Sequence, residues 1–171
     1  MSEANADGTQ HNPTEPMKEI LARRVYAVLA TTNPDGSPHT TPVWFAFDGN
    51  RFVFETDAAT RKVHNLKKRP YARSLIQNPP SQPEAWVAAE GPVELIYGEE
   101  ADRLNELVTD RYLTDEGKRG WASFMEASEN VAIVLTPEKW SSWFSADMFK
   151  ALLDQGRTEE EVARWFLPAD S

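Results

Sequence analysis

The sequence predicts a mainly β (α+β) domain in which six to seven mostly antiparallel strands close into a barrel, with a few flanking helices. Three observations lead there. Short β-rich apolar runs recur between Tyr26 and Thr56 and again between Tyr71 and Phe144. Turn signals such as Pro34-Asp35-Gly36 and Asp48-Gly49-Asn50 join successive runs, and short links of that kind connect antiparallel neighbours. Helical spacing interrupts the series too seldom for a parallel sheet fed by crossover helices. Closing the sheet into a barrel also removes exposed edges.

The elements follow in order. Residues 1–16 are polar, carry two prolines and show no periodicity, as expected of a disordered tail. Met17, Ile20, Leu21 and Arg24 stand at helical spacing and predict a short leading helix. Tyr26–Thr31 is the first strand. His39–Phe47 is the second, with Val43, Phe45 and Phe47 on one face and Trp44 and Ala46 on the other. Arg51–Thr56 is the third, alternating Phe52 and Phe54 against Val53 and Glu55. The period then changes: Ala59, Val63 and Leu66 are spaced for a helix that Thr60 caps and Pro70 ends. Tyr71–Gln77 is the fourth strand, Asn78–Glu84 a proline-rich loop, and Trp86–Tyr97 a long fifth strand bent at Gly91-Pro92. A helix with the stripe Ala101, Leu104, Leu107 and Val108 spans Glu99 to Arg111, and a shorter one falls near Trp121–Ala127. Val131–Thr136 and Lys139–Phe144 close the barrel. Two short helices occupy Met148–Phe166, the second opened by the capping box Thr158-Glu159-Glu160-Glu161. The expected organisation is therefore a tail (1–16), one cofactor-binding barrel domain (17–145) and a C-terminal helical extension of it (146–171).

Composition narrows the function classes. No cysteine is present, so neither a disulfide framework nor a thiolate metal site is possible. The three histidines do not stand at ligand spacing, and no metal site is expected. The first residues lack a basic start followed by an apolar run, and no stretch is apolar enough to span a membrane, which predicts a cytoplasmic protein without membrane association. A net charge of -9 argues against a nucleic-acid partner. That charge is uneven. Thr60 to Arg73 holds six basic residues and no acidic one, whereas Glu84 to Glu129 holds 12 acidic and 4 basic residues. A basic island in an acidic chain points to a local anion site, or to a solvated helix face.

The island opens with a strand end, a short loop and a helix start bearing Thr60, Arg61 and Lys62. Free amides and the positive end of the helix dipole favour an anion there. Thr60 adds a hydroxyl, Arg61 a planar fork and Lys62 a point charge, a set suited to phosphate. Asn65 lies one turn beyond Arg61. The alternative is a capped surface helix, although basic residues in a first turn oppose the dipole. A second feature is the run Gly36 to Phe45. Pro42 cannot donate to a ladder, so it marks an edge, a bulge or an unpaired position. Unpaired backbone there can meet the polar edge of a ring; otherwise the strand merely starts at a proline. Trp86, Trp140 and Trp143 either flank a flat ring or belong to core and interface. No nucleophile elbow, Walker loop or dinucleotide fingerprint is present and no catalytic side chain is assigned; reactivity in such a protein belongs to a cofactor.

Taken together, the runs Ala27–Thr32, Asp35–Phe45, Phe52–Thr56 and Thr60–Pro70, followed by the Trp86–Gly91 and Val131–Phe144 strands, resemble the pyridoxamine 5'-phosphate oxidase-like superfamily, and within it the flavin/deazaflavin branch of F420-dependent reductases. The resemblance covers about residues 18–145 and implies a split β-barrel and a homodimer with cofactor sites at the interface. It implies that Thr56, Thr60, Arg61 and Lys62 hold the cofactor phosphate with Asn65 assisting. His39, Thr41 and Val43 would line the ring, and Trp86 would stand in the groove wall. The implied activity is hydride transfer from reduced F420 to a small organic acceptor such as an activated alkene, a quinone or a tetrapyrrole-like molecule. FMN is the alternative cofactor, and a non-catalytic carrier the alternative role. Lys67, Lys68 and Arg69 suit the anionic tail of F420, or are solvated. The oxidase's own substrate motifs are not evident. The C-terminal helices either cover the ring-side mouth, swap across the dimer or form a plain surface layer.

Overall fold

The computed structural model describes residues 12–79, 82–125 and 128–165. Eight strands and six helices follow one another as α1 (Glu15–Leu21), β1 (Ala27–Thr32), β2 (Pro38–Val43), β3 (Ala46–Phe47), β4 (Phe52–Asp57), α2 (Arg61–Lys68), β5 (Tyr71–Gln77), β6 (Ala85–Tyr97), α3 (Gly98–Tyr112), α4 (Asp115–Met125), β7 (Asn130–Leu135), β8 (Lys139–Phe144), α5 (Ser145–Asp154) and α6 (Glu159–Ala163). All ladders are antiparallel, in the order β2-β1-β5-β6-β7-β4-β3, with β8 also paired to β6.

Two bent segments turn this order into a barrel. Along β6, Ala85–Glu90 pairs with β8 and Val93–Tyr97 pairs with β7, so one strand serves two sheets. Gly91 sits at the changeover. A Cβ there would lie 2.0 Å from the Thr136 carbonyl oxygen, a separation only glycine avoids. The second segment is the expected single strand His39–Phe47. It is interrupted at Trp44 and Phe45, where the chain leaves β1 and joins β4 as β3. Pro42 has no amide to give, and the Phe45 amide turns to the Tyr112 hydroxyl at 3.4 Å. That interruption supplies the eighth strand. At the β1–β2 turn Gly36 adopts a φ of 88°, open to glycine at little cost.

Alternation along the strands builds two apolar layers. Phe52 and Phe54 point inward with Leu29, Phe45, Ile76, Ile133 and Leu135, all fully buried. Trp140 is 4% exposed and packs its ring on Phe47 and Phe52, so it belongs to the core. On the outer face Ala46, Val53 and Ala132 meet Ala101 and Val108 of α3. The first helix begins at Glu15, inside the segment read as tail, and buries Met17, Ile20 and Leu21 against the barrel. Residues 1–11 lie outside the described set, as do Ala127 and Phe166 at the ends of two expected helices. The Thr158–Glu161 capping box is present, and α5 and α6 pack on each other. No helix among the described residues is long and apolar enough to cross a membrane.

Candidate functional site

The barrel is open on one side, and the topology says where. Among the described residues β2 pairs only with β1 and leaves its other edge free. β4 pairs with β3 only at Phe52 and Val53, so Phe54–Asp57 has no partner on that side. The split between these edges leads directly into the N-terminus of α2. Thr60 stands at the N-cap in extended conformation, yet its side chain does not cap the first turn. Its hydroxyl donates to the Asp57 carbonyl at 2.8 Å and lies 3.4 Å from the Thr56 hydroxyl. Those amides are left open toward solvent or a ligand.

Two cavities flank the start of α2. One, of about 420 Å³, is lined by Pro34, Ala59, Arg61, His64, Asn65, Lys68 and Arg69. The other, of about 630 Å³, runs along the split between Pro42, Val43 and Trp44 on one lip and Glu55, Thr56 and Asp57 on the other, with Lys62 behind them. Tyr26, ahead of β1, and Trp121, Phe124 and Met125 of α4 complete its lining. Among the described residues Arg61, Lys62, Lys68 and Arg69 form no ion pair, while Arg73 of the same island bonds Glu90 at 2.7 Å. Lys62 is half-buried, and burial holds its ammonium below the usual lysine range despite the field of Asp57. Glu55 is pushed the other way: burial raises its carboxyl, against the hydrogen bond from Trp121. An unpaired cation taken partly out of water gains from an incoming anion.

The expected site residues divide between these places. Val43, Thr56 and Lys62 line the larger cavity, and Arg61 and Asn65 line the smaller. Asn65 is buried, and its amide nitrogen donates to Thr31 Oγ1 and Asn33 Oδ1, both at 3.1 Å; it ties α2 to the β1 turn. His39 and Thr41 lie on the free strand β2, and the buried Thr41 hydroxyl has no hydrogen-bond partner. Trp86 pairs across β6–β8 with Trp143 and lines neither cavity. Lys67 turns away, its ammonium 5.6 Å from the Tyr97 ring centroid. The sequence reading missed Tyr26, Glu55 and the α4 face. Glu55 carried a signal, an acid following the apolar run Phe52–Phe54, but its partner Trp121 lies 66 residues away. No metal-binding group of side chains occurs among the described residues.

The fold and this split have relatives. A solved structure of a conserved hypothetical protein from Mycobacterium tuberculosis is 28% identical, with a TM-score of 0.65, covering 81% of this chain and 88% of that one. An F420 reductase is 27% identical, with a TM-score of 0.60, covering 75% of this chain and 98% of its own. A pyridoxamine 5'-phosphate oxidase-related, FMN-binding protein from Nostoc punctiforme shares the fold at 16% identity and a TM-score of 0.53, covering 75% and 94%. No curated protein matches the chain. The pyridoxamine 5'-phosphate oxidase family model matches residues 13–144, which span both lips of the split, the helix bearing Arg61 and Lys62, and every strand, and the chain belongs to that family.

Proposed function

We propose that the chain is an oxidoreductase that binds coenzyme F420, with FMN as the alternative, and passes a hydride from it to a small organic acceptor. One observation carries this reading: an uncapped helix start with the unpaired cations Arg61 and Lys62 opens onto a split barrel lined by unpaired strand edges and aromatic rings. Lys62 and Arg61, with the hydroxyls of Thr56 and Thr60, would hold the phosphate. The free edge of β2, with His39, Thr41 and Val43, would meet the polar edge of the ring, and the unpartnered Thr41 hydroxyl is a group awaiting such a contact. When bound, such a cofactor supplies the hydride, and the chain's residues orient it and exclude water.

F420 is favoured over FMN by the smaller cavity. Lys68 and Arg69 line it beside Arg61, with no carboxylate paired to them, and this suits an anionic extension beyond the phosphate. The 27%-identical F420 reductase supports the same choice. The free β2 edge fits an interface with a second copy, as the proposed homodimer needs. The test is a titration of the pure protein with FMN and with F420, followed by incubation with reduced F420 and a panel of quinones and activated alkenes. Tight F420 binding with acceptor-dependent oxidation is expected. Binding without turnover would select a carrier, and no binding of either cofactor would overturn the reading.

A further inference from the structure

The larger cavity contains a polar group that phosphate binding does not use. Glu55 Oε1 accepts from Trp121 Nε1 at 3.0 Å. Glu55 Oε2 is shielded from solvent and has no hydrogen-bond partner. A carboxylate offers about four acceptor positions, so most of the capacity of this cavity-lining side chain is unfilled within the chain.

Around it the walls are aromatic. Trp44 and Trp121 stand 5.2 Å apart between ring centroids, and Trp121 and Phe124 5.5 Å. Trp44 stacks on Tyr112 at 5.0 Å and 6°, and Tyr112 lies parallel to Tyr26 at 6.3 Å. The rings thus form a continuous run whose ends, Tyr26 and Phe124, are 63% and 71% exposed. None of the residues of α4 is buried, and this helix presents Trp121, Phe124 and Met125 to the cavity. Rings of this kind bind flat π-systems by offset or tilted contacts. A buried acceptor without a partner selects for a ligand that brings a donor.

We propose that this wall is a second subsite, for a planar conjugated molecule that carries an N–H or O–H donor at its edge and gives that hydrogen bond to Glu55. The inference rests on the function proposed above, in which this molecule is the hydride acceptor. Glu55 determines specificity: an isosteric ligand lacking the donor leaves Oε2 unpaired in an apolar surrounding.

A matched pair of probes separates donor from ring. 2-Naphthol and 2-methoxynaphthalene differ in the donor and share the ring system. Calorimetric titration near pH 8 is expected to show the wild-type protein preferring 2-naphthol by about tenfold, the effect of one hydrogen bond to a charged group. In Glu55→Met the preference falls to about one, while FMN or F420 binding persists. In Glu55→Gln, which keeps a neutral acceptor, it falls to about threefold. Equal affinity for the two probes in the wild type, or a preference that survives in either variant at full strength, overturns the proposal. Cofactor affinity is read in the same samples. Failure of both cofactors to bind the wild type overturns the proposed function, whereas cofactor binding with no donor preference overturns only the Glu55 subsite.

Discussion

Replacing Lys62 by methionine separates two effects that most active-site mutations confound. The ammonium is half-buried, has no ion pair among the described residues, and is held below the usual lysine range by burial. In the ligand-free protein it is therefore a liability. Its folded-state pKa lies below the unfolded value, so between the two the unfolded chain binds more protons and stability rises with pH. Below both values the whole cost is present. Methionine has nearly the same length and no charge to desolvate, so ligand-free Lys62→Met is expected to be as stable as the wild type or more so. With cofactor bound the sign reverses. A charge-assisted hydrogen bond to phosphate contributes about 1.5–3 kcal/mol, which predicts a loss of about 10- to 150-fold in FMN or F420 affinity. Arg61 is exposed and well screened, so Arg61→Met is expected to lose only about two- to fivefold. Fluorescence titration gives the affinities, and thermal unfolding with and without cofactor gives the stabilities. Wild-type affinity in Lys62→Met would refute the reasoning. So would a loss of affinity matched by an equal loss of ligand-free stability, because that would make Lys62 a structural residue.

Other perturbations probe the frame around this site. Gly91→Ala places a methyl group 2.0 Å from a carbonyl oxygen whose neighbourhood is fastened by Thr136 N–H to Pro92 at 3.0 Å and Glu138 N–H to Glu90 at 2.9 Å. The backbone cannot yield cheaply, and urea unfolding should show a loss of about 3 kcal/mol or more, with under about 1 kcal/mol contradicting a constrained bend. Asn65→Leu removes the donor to buried Thr31 and to Asn33, and should cost about 1–3 kcal/mol in the same assay while changing cofactor affinity less than Lys62→Met does. For Glu55 the folded pKa lies above the unfolded one, so its contribution to stability falls as pH rises from about 4.5 through the raised value. The difference in melting temperature between wild type and Glu55→Gln should therefore shift in favour of the variant across that range. A pH-independent difference would show that the carboxyl ionises normally.

What could be read in the sequence was local, and what could not was carried by contacts between distant residues. Alternation placed Phe52 and Phe54 inside and Val53 and Glu55 outside, because a strand's side chains obey a period of two whatever surrounds it. The same rule reaches no further than the face. It cannot say that the outer face at Val53 lies beneath α3, or that at Glu55 a tryptophan 66 residues away completes a cavity wall. The break at Trp44 and Phe45 escaped for a similar reason: Pro42 signals an unpaired position nearby, but the Tyr112 hydroxyl that receives the Phe45 amide and fixes where the strand ends is 67 residues distant. Trp140 was ambiguous because an inward tryptophan and a ligand-facing one have the same period; only closure of the barrel around Phe47 and Phe52 decides between them.

Asn65 shows the limit most clearly. Helical spacing correctly sets it one turn beyond Arg61, and both line the smaller cavity. Yet Val63 and Leu66 are drawn into the core and fix the roll of the helix, which brings the Asn65 amide onto Thr31 and Asn33. The residue that looked like an auxiliary phosphate ligand thus has its donor committed to holding α2 against β1. That makes it more useful to the proposed chemistry, since an anion site built on an eight-residue helix needs that helix anchored. Asn65 is the anchor on the β1 side, and Arg61 and Lys62, which form no ion pair among the described residues, are not needed for that holding.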